Sequence, residues 1–168
     1  NRGRAYVAPT DAHEALALSA KPEWKPATSL PNDPRNFWTV DYGLTTFGDL
    51  FTDRQLVSLN TLSNLVHEAR EQIETDARIA GLASDLTPLR DGGNGAKGYA
   101  EALSVYLAFA LNRSADRGST ICTWDSSPKM EALRNTFGRQ SIPMTWDFAE
   151  GNPFSKASGN FLNNVDWV

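Results

Sequence analysis

The chain has 168 residues, 40% of them hydrophobic, which is enough for one domain with a real core. Its net charge of −4 excludes a surface that gathers polyanions indiscriminately, leaving room only for a local basic patch. A single cysteine, Cys122, excludes an internal disulfide and any cysteine-based zinc site within the chain, and fits a reducing, cytoplasmic compartment.

Residues 2–7 (RGRAYV) read as a short strand or extended arm closed by Pro9. Thr10 caps a short helix to about Leu18, with Asp11 and Glu14 at its positive end. Across residues 21–41, Pro22, Pro26, Pro31 and Pro34 forbid a continuous helix, while Trp24, Phe37 and Trp38 are too large to leave loose. The expectation is an extended strap pinned by those aromatics. Residues 1–41 then form an arm and strap, and residues 42–168 a helical core of the same domain. Gly43 and Gly48 make residues 42–51 a turn-rich lead into the next helix.

That helix, over residues 52–81, is the scaffold. Leu59, Leu62, Val66, Ala69, Ile73, Ala77 and Ala80 alternate at steps of three and four, one apolar stripe on one face. Thr52 and Gln55 have capping-box spacing, and Gly81 supplies the stop. A second helix is expected over about residues 99–117, with Leu103, Tyr106, Leu107, Ala110 and Leu111 inward. Its segment SVYLAFAL is apolar nearly all round, which predicts the most buried helix; it is too short to span a membrane. Residues 119–124 (STICTW) are β-prone, and Ser127 with Pro128 predicts a third helix over residues 129–137, ended by Gly138. Residues 155–168 carry no decisive pattern. The expected fold is mainly α, with room for two or three short strands and α+β as the alternative. The first residue is not methionine and the last are Val165, Trp167 and Val168, so a piece of a longer protein is expected.

Residues 93–98 (GNGAKG) match G-x-G-x-x-G, but the preceding SDLTPLRD is polar and broken by Pro88. A phosphate site needs a buried strand there, so an interhelical loop is the better reading. His13 and His67 lie in no metal-ligand spacing. Asp147 and Glu150 have the makings of an acid pair, against the plainer expectation of bonds to backbone, Arg134 or Arg139. Lys129, Arg134, Asn135, Arg139 and Gln140 gather side chains that hold phosphates and read base edges. Asp125 and Glu131 among them weaken the patch, so a structural salt-bridge and capping network is the plainer expectation, ahead of DNA contact. Asn152, Pro153 and Phe154 lack the second proline of the amino-methyltransferase tetrapeptide.

Three blocks are more specific: YGLTTFGDLFTDRQL (residues 42–56), STICTWDSSP (119–128) and NTFGRQSIPMTWDFAEGNPF (135–154). Together they resemble an interior stretch of the large bacterial adenine-specific DNA methylases that carry a zinc ribbon and often sit in phage-defence islands. The resemblance runs from about Gly3 to Val168. It implies a parent that transfers a methyl group from S-adenosylmethionine to adenine N6. In that family the cofactor motif and the zinc-ribbon cysteines lie upstream and the Asp-Pro-Pro-Tyr motif downstream; this sequence holds none of them. The resemblance therefore implies a non-catalytic segment, with S-adenosylmethionine and zinc bound elsewhere in the parent, and it carries over no functional residue. Scaffolding or DNA recognition is the leading function. A module docking partner subunits without DNA contact is the alternative, favoured by Glu68, Glu71, Glu74 and Asp76 on the long helix. A hydrolase using Asp147 and Glu150 is the third.

Overall fold

The computed structural model describes residues 6–33 and 35–168. The arm expected over residues 2–7 falls mostly outside them. Thr10 caps helix α1, Asp11–Leu18, and the box is completed by His13, whose N–H donates to Thr10 Oγ1 while Nδ1 accepts from the Thr10 N–H. No residue of α1 is buried.

The long helix α2 is Asp53–Ile79. Its N-terminus closes as a capping box, with the Gln55 N–H on Thr52 Oγ1 at 3.4 Å and the Thr52 N–H on Gln55 Oε1 at 2.8 Å. Just past its end Gly81 sits at φ 96°, the left-handed conformation that stops a helix cheaply only for glycine. Of the expected stripe Leu62 and Ala77 are buried, Ala80 is exposed, and Leu56 joins the core. Two polar residues are buried on the same face, Gln55 and Asn60.

Helix α3, Ala96–Arg117, packs along α2. Its buried residues are small: Ala96, Gly98, Ala100, Ala110 and Ser114. Small side chains let the backbones approach, and the bulky ones are pushed to the flanks. The expectation that SVYLAFAL is covered all round is corrected accordingly, since Val105, Tyr106 and Phe109 are each about half exposed. The glycines before α3 reflect backbone crowding. A Cβ on Gly93 would lie 1.9 Å from the Thr87 carbonyl oxygen, and one on Gly98 2.3 Å from that of Gly93.

The helix expected over residues 129–137 does not form. Strands β1, Trp124–Asp125, and β2, Ala132–Leu133, pair antiparallel instead, with Trp124 opposite Leu133. The local chemistry explains why. The Ser127 N–H donates to Asp125 Oδ1, and the N–H groups of Met130 and Glu131 both reach the Ser127 carbonyl. These bonds make a turn, and Glu131, at φ 39°, leaves it in a conformation no helix continues. Past the hairpin the final residues form a short helix α4, Phe161–Asp166, capped by Asn160. It docks on α3 through Asn164, which donates to Ser114 Oγ at 2.9 Å.

The strap is extended as expected, but of its three expected pins only Phe37 packs against the core. Trp24 and Trp38 are more than half exposed. What holds the segment is Asn60, whose Oδ1 accepts from the N–H groups of Glu23 and Trp24, and Leu30, which enters the core. Leu30, Leu50, Ile121 and Ile142 form that core, flanked by Phe37, Val40, Leu44, Phe47 and Phe51. Strap, helix approach and hairpin region meet at this cluster. The fold is mainly α: four helices and one two-stranded sheet among the described residues.

Asp49 ties strap to helix approach. Burial pushes its carboxyl up, but bonds from the Thr46 hydroxyl and N–H, from Lys25 and from the Thr45 N–H outweigh that and lower its pKa from 3.8 to about 2. The folded value lies below the unfolded one, so this stabilisation is complete above about pH 4 and is lost as pH falls towards 2. Asp49→Asn should flatten the pH dependence of the urea midpoint across that window. Leu50→Ala, at a fully buried position, should cost about 2–5 kcal/mol in urea unfolding, whereas Leu107→Ala, at a half-covered one, should cost clearly less.

Candidate functional site

Residues 119–145 fold back on the end of α3 and enclose a cleft of about 590 Å³. Its position follows from a run of backbone anchors. Leu50 O accepts from both the N–H and the hydroxyl of Thr120, at 2.8 and 2.9 Å, which fastens the segment to the start of α2. The Thr136 N–H donates to Asp116 O at 2.7 Å, the Arg134 N–H to Thr123 O at 2.9 Å, and the Ile142 N–H to Asn36 O at 2.7 Å. Thr145 Oγ1 donates to Ile121 O at 3.1 Å. Beneath the cleft the Thr136 hydroxyl donates to Asp116 O at 2.8 Å and lies 2.7 Å from Ser119 Oγ, both threonine and serine being buried. Cys122 is buried beside them, its Sγ 3.4 Å from the Thr136 hydroxyl.

Three of the five residues nominated from sequence, Arg134, Asn135 and Arg139, line this cleft; Lys129 and Gln140 do not and are exposed nearby. The first two are already oriented by acids. Arg134 forms an ion pair with Asp125, whose carboxyl is held below its ordinary range by the Ser127 hydroxyl and N–H and then by Arg134 itself. Asn135 donates to Asp116, which also takes the Phe137 N–H at 2.8 Å. Arg139 is exposed, and among the described residues neither it nor Lys129 forms an ion pair. The salt-bridge network expected from sequence thus claims Arg134 and Asn135 and, among the described residues, leaves Lys129 and Arg139 without an ion pair.

Glu150 is held by an arginine, as the plainer expectation had it, but by a different one. Glu150 is gripped by Arg54, with Nε at 2.9 and 3.1 Å from the two carboxylate oxygens and Nη2 at 2.6 Å. A fork of this geometry commits the carboxylate to a bidentate structural partner. Its partner is neither Arg134 nor Arg139, and Asp147 is exposed. His13 serves the α1 cap, and His67 is exposed. Among the described residues no group of three or more His, Cys, Asp or Glu stands where it could hold a metal ion, and no helix is long and apolar enough to cross a membrane.

The sequence reading missed Asp116, Ser119 and Thr136, which build the floor of the cleft. Asp116 carried one signal: an acid in the last turn of a helix opposes the macrodipole and needs a local reason to be there. Here the reason is the two donors from residues 135 and 137. Comparison with protein-family models, with curated proteins and with solved structures yields no match.

Thr136→Val keeps the side-chain shape and removes the hydroxyl from beneath the cleft. It should cost about 1–3 kcal/mol in denaturant unfolding, because the buried Ser119 hydroxyl loses the Thr136 oxygen, although it still accepts from the Ile121 N–H. A change below about 0.5 kcal/mol would mean the floor is not held by these hydroxyls.

Proposed function

We propose that this chain is a non-catalytic helical region of an adenine-specific DNA methyltransferase and that the cleft beside the hairpin is where it meets DNA. One observation carries the reading: Arg134, Asn135 and Arg139 line a single cleft, and Arg139 is exposed with no ion pair among the described residues. A guanidinium in such a place holds a phosphate or the edge of a guanine, and a side-chain amide pairs with the edge of an adenine. Asp125 and Asp116 fix two of the three side chains in advance, so little rotamer freedom is lost on binding. The resemblance supports the same reading, because two of its three blocks, residues 119–128 and 135–154, supply the walls. Methyl transfer, S-adenosylmethionine and zinc then belong to other regions of a cytoplasmic parent enzyme, and this chain's part is to position DNA.

A second reading is favoured by a different surface. Val105, Tyr106 and Phe109 are half exposed on α3, and such a face suits a partner subunit better than a polyanion.

The test is the salt dependence of DNA binding by the chain. Arg139→Ala should weaken binding and reduce the slope of log affinity against log salt by roughly 0.7–0.9, the loss of one phosphate contact. Its thermal stability should stay within about 0.5 kcal/mol of the parent chain, since the residue is exposed. An unchanged slope, or wild-type affinity, would remove the cleft from DNA recognition and favour the partner-docking surface.

A further inference from the structure

One wall of the cleft ends in a pair of exposed rings. Trp146 directly follows Thr145, which lines the cleft. Its ring meets that of Tyr42 edge to face, with centroids 4.7 Å apart and planes at 82°. Trp146 is nevertheless 73% exposed and Tyr42 56%. Rings of this size gain most from burial, so an exposed pair held in fixed geometry suits a flat partner. The pair is fixed by the backbone that builds the cleft. Tyr42 ends the 3-10 turn Trp38–Tyr42, and Phe37, just before that turn, forms a parallel bridge with Ile142 on the segment leading to Trp146.

Charge separates the two forms of DNA. A duplex is held mainly by many phosphate contacts. Of the nominated cations only Arg134 has an ion pair, Lys129 and Arg139 having none among the described residues, and the chain carries a net charge of −4. A single strand needs fewer phosphate contacts, because each unpaired base offers a face for stacking.

We propose that the nucleic acid taken by this cleft is single-stranded DNA, with a base stacked on the Tyr42–Trp146 pair and the adjoining backbone passing Arg139. This rests on the cleft's proposed role in DNA binding and adds the form of DNA it takes. Trp146 supplies stacking area and Arg139 neutralises phosphate. The surface is then indifferent to sequence at the stacked position, as aromatic platforms are.

The experiment uses the whole chain and two fluorescently labelled probes, an oligothymidylate of about 12 nucleotides and a mixed-sequence duplex of the same length, with anisotropy read at fixed low salt. The single strand should bind at least roughly tenfold more tightly than the duplex, and Trp146→Ala should weaken single-strand binding roughly 5–100-fold. Trp146→Phe should restore most of that loss, which a merely structural role for the indole would not predict. A thermal melt of both variants checks that the fold is kept. Duplex binding as tight as single-strand binding, or single-strand binding indifferent to Trp146→Ala, would overturn the single-strand inference while leaving a DNA-binding cleft in place. Failure of both probes to bind would overturn the cleft's DNA role together with this inference.

Discussion

Leu50 is the residue on which the rest depends. Its side chain is fully buried among Leu30, Ile121 and Ile142, and its carbonyl accepts two bonds from Thr120. It therefore joins three stretches far apart in sequence: the strap, the approach to α2, and the segment that walls the cleft. The side chain supplies apolar burial, which is non-directional, and the carbonyl supplies direction. Burial alone would allow residues 119–145 to slide over the core. The bonds to Thr120 set their register against α2.

The two long helices do a simpler job. A buried row of Ala96, Ala100, Ala110 and Ser114 lies on one face of α3, the helix that packs along α2. The same row turns Val105, Tyr106 and Phe109 outward, so helix packing and surface hydrophobicity have one cause. Asn60 then shows how a polar residue on the inner face of α2 can be worth its burial. It accepts two strap N–H groups that would otherwise lie unpaired against the helix.

The parts of this structure legible in the sequence were those set by local rules. The capping boxes at Thr10 and Thr52, the stop at Gly81 and the two long helices follow from spacing over a few residues. The hairpin was hidden because Ser127–Pro128 is an equally good start for a helix or a turn. The choice was made by the Asp125 side chain and by cross-strand pairing that propensity does not see. The pins of the strap were misjudged by size: Trp24 looks like an anchor, but the anchor is an asparagine 36 residues away in sequence. Of the site, the charged and amide side chains were visible as a cluster. Asp125 was visible among them, but Asp116 and the ring pair of Tyr42 and Trp146 were not, because Asn135–Asp116 and Tyr42–Trp146 are contacts between segments distant in the chain.

On the proposed reading, the hairpin and the residues after it form a pre-shaped surface for DNA, separate from the apolar face of α3. Backbone amide chemical shifts of the isotope-labelled chain, followed while an oligonucleotide is added, test it most directly. The shifted amides should map to residues 134–146 and to Tyr42, with α3 around Phe109 unmoved. Shifts centred on Val105, Tyr106 and Phe109, or no shifts at any concentration, would contradict it.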